Sequence, residues 1–287
     1  MQISCPAKLN LYLDVSGRRL DGYHEIVTVM QTTDLHDRLL LEEGAPGEVA
    51  MACDAVSLPI DARNLCVRAA EAMRLRAAPG KGVRIALEKR IPIAAGLGGG
   101  SSDAAGVLRG LNRLWGVGLG TGELAEVAAG LGSDVPFFLA GGTARCAGRG
   151  ERIVAIAGAP RLAFVLVTPP IAVSTAATDA ALEATPPARP ADEGGFLRAL
   201  RSGDLRRLAA LLYNRLEDAP GPHRGEVERL KRLLIGHGAL GAAMSGSGPS
   251  VFGLAADLGE ARGIAERIAG EIGEGALLHA GLTGGSV

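Results

Sequence analysis

The stretch "IPIAAGLGGGSSDAA", residues 91–105, decides the fold class of this chain. Four of the five residues from Gly96 to Gly100 are glycine, two serines follow, and a helical pattern then begins. Glycine loses more conformational freedom on folding than other residues and packs no side chain, so this density needs a compensating role. The preceding "KGVRIALEKR" alternates as a strand does. The pattern therefore predicts a strand, a glycine loop and a helix.

Such a loop is suited to an anion. The first turn of a helix offers backbone N–H donors and about half a positive charge, and glycine lets a ligand approach the backbone closely. Phosphate is the usual occupant. A Walker A loop is excluded because no lysine is present, and Ser101 and Asp103 stand where a dinucleotide fingerprint needs its third glycine. A tight turn with a helix cap is the simpler alternative.

Composition narrows the class of protein. The chain has 287 residues, 47% hydrophobic and 21% charged, with a net charge of −1. That charge gives no electrostatic reason to bind nucleic acid or an anionic membrane. The N terminus lacks the features of a signal peptide, and the four cysteines lack zinc-site spacing. We expect a cytoplasmic globular protein with free thiols and no nucleic-acid or membrane partner.

Periodicity predicts mixed secondary structure. Apolar residues alternate from Ile3 to Val15 as in a strand, and residues 26–43 resemble two further strands. Helical spacing covers residues 64–78, 121–132, 196–216, 224–236 and 258–272. Strands and helices do not alternate strictly, which favours an α+β fold over a doubly wound sheet. A composition shift predicts two domains, residues 1–155 and 156–287.

Two charged residues stand in apolar surroundings. Lys8 lies in "CPAKLNLYL" and Asp134 in "GSDVPFF". An edge lysine and a turn aspartate are the ordinary interpretations. With a phosphate loop, however, one acid and one lysine make a kinase-like set, because phosphoryl transfer needs positioning and charge neutralisation.

Four separate stretches resemble the motifs of the GHMP kinases, in the order in which that superfamily has them. They are "PAKLNLYL", "PIAAGLGGGSSDAA", "GSDVPFF" and "MSGSGPSVF". The segment "DGYHE" is similar to one branch, which acts in non-mevalonate isoprenoid synthesis on a small alcohol carrying a cytidine diphosphate. The resemblance implies a two-domain α+β fold, an active site in the cleft between the domains, and transfer of the ATP γ-phosphate with Mg²⁺. Homoserine- or mevalonate-type kinases and a non-catalytic nucleotide-binding relative are the alternatives.

The resemblance also implies roles for individual residues. Lys8 and Asp134 match the catalytic pair, with Asp134 as base. The positions that match substrate contacts are Asn10, Tyr23 and His24, of which the last two meet the cytosine, and Gly246 and Gly248, which back the pocket. The positions that match ATP contacts are Pro92, Ile93, Ala94, Ala95, Gly96, Leu97, Gly98, Gly99, Gly100, Ser101 and Ser102 for the phosphates, and Asn64 and Asn112 for the nucleoside. The magnesium ligands stay open among Ser102, Asp103 and Asp134.

One segment departs from the family. Its members place an aromatic residue shortly after a Ser-Thr pair, where it covers the second face of the cytosine. Here Ser174 and Thr175 are followed by Thr178 and Asp179. Losing one stacking partner weakens binding by about 1–3 kcal/mol unless another residue replaces it. We expect weaker binding of cytidine, with Ile171 and Val173 as candidate replacements for the missing aromatic residue.

Overall fold

The computed structural model describes residues 1–18, 24–173, 175–182 and 185–284. These residues form two mainly antiparallel β-sheets, one of seven strands and one of four. The larger sheet has the order β3-β4-β2-β1-β8, with β5 and β6 extending from β2. Its strands are β1 (Gln2–Arg18), β2 (His24–Glu43), β3 (Val49–Cys53), β4 (Val83–Glu88), β5 (Thr143–Gly148), β6 (Arg152–Ala155) and β8 (Tyr213–Asn214).

The pair β1 and β2 forms the spine of the larger sheet. Residues 26–43, expected as two strands, belong to one strand of 20 residues. The expectation of two strands was wrong because β2 exchanges neighbours along its length. Residues 26–31 pair with β5, whereas residues 38–43 pair with β4.

Helices of the first half cover one face of this sheet. They are α1 (Leu65–Ala77), α2 (Gly99–Leu114), α3 (Thr121–Leu131) and α4 (Val135–Ala140). Asn64 caps α1 by accepting a hydrogen bond from Cys66 N at 2.9 Å. The buried apolar stripe of α2, including Val107, Leu108 and Leu111, packs on Leu39 and Leu41 of β2. This packing fixes the start of α2, which is the helix that follows the glycine loop.

The second half of the chain forms the smaller sheet, with strand order β11-β7-β10-β9, and its helices. Its strands are β7 (Ala163–Thr168), β9 (Gly241–Met244), β10 (Val251–Ala255) and β11 (Leu277–Leu282). Its helices are α5 (Thr175–Leu182), α6 (Glu193–Ser202), α7 (Leu205–Ala210), α8 (Arg224–Gly236) and α9 (Leu258–Ile268). The single helix expected over 196–216 was wrong. Gly203, at φ +71°, ends α6, Asp204 caps α7, and β8 follows.

A shared apolar cluster joins the two sheets. Leu9 and Leu11 of β1 pack with Phe164 of β7 and Phe252 of β10. The larger sheet ends with β6 at Ala155 before the chain enters the smaller one, although β8 returns to pair with β1. The domain boundary near residue 155 stays a prediction.

In the described ranges of the chain, no helix combines the length and the apolar character that spanning a bilayer requires. The four cysteines are free thiols, and Cys5, Cys66 and Cys146 are buried.

Candidate active site

The glycine loop reverses the chain between β4 and α2. Gly96 and Gly98 have φ values of +75° and +70°, in the left-handed region that favours glycine. Ala94 also has a positive φ of 53°, which is unusual for a residue with a side chain and marks a strained backbone. Leu97 O accepts a hydrogen bond from Lys8 N at 3.0 Å, so the loop is tied directly to β1.

A second glycine-rich turn, residues 245–248 between β9 and β10, packs against the glycine loop. Ser245 Oγ donates to Gly96 O at 3.0 Å and accepts from Asn10 N at 3.3 Å. A Cβ built on Gly246 would lie 2.9 Å from Gly96 O and 3.2 Å from Lys8 Nζ. Three segments that are distant in sequence therefore meet at Lys8, the glycine loop and residues 245–248.

Gly96→Ala tests this close approach. The new Cβ would lie 2.0 Å from Ser245 O, which is backbone and cannot move aside, and φ is positive. We expect a loss of about 2 kcal/mol or more in the free energy of unfolding, measured by denaturant titration.

Gly116→Ala is the matched control for that change. Gly116 has a φ of +65°, but a Cβ there meets nothing within 4 Å. Only the cost of the backbone conformation remains, about 1 kcal/mol. Equal losses in the two variants would contradict the role of the contact between the loops.

Lys8 lies at the centre of the site and is 3% exposed. Its Nζ donates to Asn10 Oδ1, while Asn10 Nδ2 donates to Thr28 Oγ1 at 2.9 Å. Thr28 Oγ1 donates in turn to Tyr12 O at 2.7 Å. Burial lowers the pKa of Lys8 below its usual value, although Asp134 opposes the shift. The chain of hydrogen bonds holds the ammonium group in one place.

Asp134 supplies a carboxylate beside Lys8. It stands at the N-cap position of α4, but its side chain makes no capping hydrogen bond. Asp134 Oδ2 lies 3.9 Å from Lys8 Nζ, and its side chain is 34% exposed. Phe138 of the same helix packs against the loop, since a Cβ on Gly98 would lie 2.8 Å from its ring. The carboxylate is therefore both accessible and close to the glycine loop.

A cavity of about 860 Å³ is lined by Lys8, Asn10, Thr28, Asp134 and the glycine loop. Part of its wall comes from β1, β2, α5 and the turn after β8, at Leu13, His24, Ala180 and Leu216. Another part comes from the loop and the segment before α1, at Leu58, Pro59 and Arg63. Lys8 and Asp134 lie on the same wall. This volume lies within the usual range of ligand-binding clefts.

Most residues selected from the sequence line this cavity. They are Lys8, Asn10, His24, Asn64, Asp134, Gly246 and the whole stretch from Pro92 to Ser101. Ser102 does not reach the wall, because its side chain is fully buried. Gly248 instead packs beside Met244, whose Sδ would lie 2.5 Å from a Cβ there. Tyr23 lies outside the described residues.

The two asparagines expected at a nucleoside have structural partners. Asn64 lines the cavity, but its side chain caps α1 and donates to Pro59 O at 2.8 Å. The structure does not bring Asn112 to the cavity. Its amide donates to Leu119 O at 3.0 Å and accepts from Leu119 N at 2.8 Å, which closes the loop after α2.

The expected replacements for the second aromatic residue are not found on the described part of the wall. Neither Ile171 nor Val173 lines the cavity, and Ala180 of α5 does. Ser174 lies outside the described residues. The weaker binding of cytidine stays a prediction.

Sequence reasoning missed a buried cluster below the loop, formed by Asp37, Lys89 and Asp103. Lys89 Nζ donates to Asp37 Oδ2 and, at 2.8 Å, to Asp103 Oδ2. Asp37 and Asp103 are at most 1% exposed. The available signal was the rarity of lysine, which occurs at four positions in the whole chain. Ser245 and Thr28 carried no comparable signal.

The oxygen atoms near the cavity limit how a magnesium ion could be held. Asp103 Oδ2 accepts from Lys89 Nζ, and both Asp103 Oδ1 and Ser102 Oγ are buried. Among the described residues, no group of three or more His, Cys, Asp or Glu could hold a metal ion. Magnesium usually binds one or two protein oxygens together with substrate phosphates and waters. The Ser101 hydroxyl and the Asp134 carboxylate fit that limited share.

Comparison with known proteins agrees with this architecture. Residues 64–142 match the GHMP kinases N terminal domain, and residues 196–274 match the GHMP kinases C terminal family. A crystal structure of 4-(cytidine 5'-diphospho)-2C-methyl-D-erythritol kinase superposes with a TM-score of 0.83 at 37% identity, over 100% of both chains. A homoserine kinase from Cytophaga hutchinsonii has a TM-score of 0.77 at 21% identity, over 99% of this chain and 95% of its own. The latter likeness concerns the fold alone.

Relatives in sequence are closer still. A 4-diphosphocytidyl-2-C-methyl-D-erythritol kinase from Pelotomaculum thermopropionicum is 48% identical over 261 residues, which cover 91% of each chain. One of the same name from Symbiobacterium thermophilum is 46% identical over 272 residues, 93% of this chain and 95% of its own. The chain that contains this glycine loop, buried lysine and aspartate therefore belongs to the GHMP kinases. Within them it belongs to the family of its 4-diphosphocytidyl-2-C-methyl-D-erythritol kinase relatives.

Proposed function

We propose that this chain transfers the γ-phosphate of ATP to the 2-hydroxyl of 4-diphosphocytidyl-2-C-methyl-D-erythritol, in non-mevalonate isoprenoid precursor synthesis. The observation that carries the proposal is the pair Lys8 and Asp134, 3.9 Å apart on the wall of a cavity that also contains the glycine loop. A protein that only bound nucleotide would need the loop but not the pair.

The loop is proposed to hold the phosphates of ATP. Its glycines leave the backbone accessible, and the first turn of α2 directs N–H groups and a partial positive charge at the phosphate oxygens. Leu58, Pro59 and Leu65 line the same cavity and are proposed to provide apolar surface for the nucleoside. Magnesium, when bound, neutralises charge on the phosphates. We propose that the phosphates and Ser101 hold it, which leaves Asp134 free to accept a proton.

Transfer itself needs one proton acceptor. The substrate hydroxyl loses its proton to an Asp134 carboxylate oxygen while its own oxygen forms a bond to the γ-phosphorus. The bond between that phosphorus and the β,γ-bridging oxygen breaks, and ADP leaves. Lys8 pairs with the Asp134 carboxylate and stabilises negative charge that develops on the attacking oxygen. Asn10 orients Lys8 for both tasks.

The cytidine part is proposed to bind near His24 and the apolar side chains of β1 and the turn after β8. A histidine ring can donate to and accept from the edge of a pyrimidine. Leu13 and Leu216 supply an apolar wall next to it. Tyr23, adjacent in sequence, is proposed to stack on the cytosine.

His24→Ala tests the location of the cytosine. We expect the KM of the cytidyl substrate to rise about tenfold, since a lost hydrogen bond of this kind costs about 1–2 kcal/mol. The KM of ATP should change less than about twofold. His36→Ala, on the same strand but outside this cavity, is the control. Equal increases in both KM values would place the cytosine elsewhere.

The proposed reaction is tested by ADP release with magnesium-ATP and 4-diphosphocytidyl-2-C-methyl-D-erythritol. Homoserine and mevalonate serve as alternative acceptors, because kinases of both types share this fold. Turnover with the cytidyl substrate alone is the expected result. Turnover only with another acceptor would keep the phosphate loop and reject the cytosine pocket. ATP binding without any turnover would favour a nucleotide-binding protein.

A further inference from the structure

The buried cluster of Asp37, Lys89 and Asp103 lies at both ends of the glycine loop. Lys89 is one residue beyond the end of β4, and Asp103 is the fifth residue of α2. Asp37 comes from β2 in the underlying sheet. One ammonium group and two carboxylates therefore join the two ends of the segment that runs from Lys89 to Asp103.

Each carboxylate holds a different end of the loop. Asp37 Oδ1 accepts from Arg90 N at 2.6 Å and from Ile91 N at 2.8 Å, immediately before the loop begins. Asp103 Oδ2 accepts from Lys89 Nζ at 2.8 Å and belongs to the helix that the loop enters. Lys89, which also donates to Asp37, is the bridge between the two ends.

The bridge lies next to the residues proposed to meet phosphate. A Cβ built on Gly99, the first residue of α2, would lie 3.2 Å from Lys89 Nζ. Lys89 and Asp103 also contribute to the wall of the cavity. A change in the bridge would therefore shift the first turn of α2 before it shifted the rest of the helix.

The charges in the cluster do not balance. One ammonium group faces two carboxylates, and Asp103 Oδ1 is buried without a hydrogen-bond partner. Burial raises the pKa of Asp103 to about 7, although Lys89 opposes the shift. An apolar cluster would cost less desolvation, so stability alone does not account for these residues. A positioning role explains these charged residues better, because hydrogen bonds between charged groups fix direction as well as distance.

We propose that Lys89 is a positioning residue for ATP. By bridging Asp37 and Asp103 it holds the two ends of the glycine loop at the separation in which the first turn of α2 faces the phosphates. This inference rests on the proposed function, in which that loop binds ATP. A loop held in its binding conformation loses less entropy when the ligand arrives, and that difference appears in affinity.

Lys89→Met tests the proposal. The expected result is a KM for ATP raised about tenfold or more, with kcat at saturating ATP within about twofold of wild type. The KM of the cytidyl substrate should be unchanged. A merely structural role would reduce the active fraction and lower kcat while leaving KM unchanged.

Lys81→Met is the matched control. Lys81 lies two residues before β4, as Lys89 lies just after it, and pairs only loosely with Glu43 at 3.8 Å on the surface. It should leave both KM values at the wild-type level. If Lys89→Met does not fold, a double variant that combines Lys89→Met with Asp103→Asn is used instead. It removes one of the two carboxylates that Lys89→Met leaves without an ammonium partner, and it still lacks the bridge. The double variant should fold and still show the raised KM for ATP.

The outcomes separate this inference from the proposed function. Wild-type KM for ATP in Lys89→Met, or in the folded double variant, would overturn the positioning role and leave the reaction intact. Equal increases in the two KM values would overturn it as well, since the loop would not be the part affected. Absence of ATP binding by the wild type would overturn the proposed function and the inference with it.

Discussion

We expect Asp134→Asn to lower kcat by about a thousandfold while ATP still binds with its wild-type Kd. A positioned general base contributes about 10²–10⁴ to the rate, and an amide cannot accept the proton of the substrate hydroxyl. The loop proposed to bind ATP is held by Ser245, Lys8 and the Asp37–Lys89–Asp103 cluster rather than by Asp134. The measurement is kcat from ADP release together with the Kd of ATP from calorimetry.

The fold should tolerate this change. The Asp134 side chain makes no capping hydrogen bond to α4, so an amide in its place removes no helix contact. Asp257→Asn is the control, because Asp257 caps α9 by accepting from Glu260 N at 2.9 Å, far from the cavity. It should leave kcat unchanged. If Asp134→Asn retained more than about a tenth of the wild-type kcat, another group would have to be the base.

Lys8→Met lowers kcat by about a hundredfold, which is the second largest effect we expect. The ammonium group stabilises charge that develops only during transfer, and a single stabilising group of this kind contributes about 10²–10³. Binding of ATP should weaken far less, since in the proposed binding mode the loop backbone and the helix terminus supply most of its contacts. Lys81→Met controls for the loss of one positive charge. An unchanged kcat would remove Lys8 from the mechanism.

The pH dependence of kcat supplies a second test of Lys8. The ammonium group is present below its pKa, and burial moves that pKa down from 10.5. The wild-type kcat should therefore fall as pH rises through a value below that of an exposed lysine. In Lys8→Met this alkaline decline should be absent from the residual activity, because the titrating group is gone. A decline of the same shape in both proteins would assign it to another residue.

Local pattern was sufficient for much of the secondary structure. The periodicity of α1 and the alternation of β4 were both predictable, because each depends on a few consecutive residues. The glycine loop was predictable for a different reason. Its density of glycine is costly unless the backbone approaches another group, and Gly96 does approach Ser245 closely.

Contacts between distant segments were not predictable in the same way. The exchange of neighbours along β2 depends on where β4 and β5 lie, and the strand at residues 213–214 depends on β8 reaching β1. Asn112 carries no local sign that its amide is used by Leu119. Side-chain type restricts what a residue is able to do, but its partner decides what it does.

The sequence by itself determined the α+β class, the candidate phosphate loop, the candidate acid and lysine, and the family. These depend on composition, on periodicity and on short motifs, each of which is a property of neighbouring residues. Only the tertiary structure decided that Lys8 lies 3.9 Å from Asp134, that Ser245 supports the loop, and that Lys89 joins its two ends. Those contacts join residues 14 to 149 positions apart, and packing of the two sheets and their helices, not local preference, sets such distances.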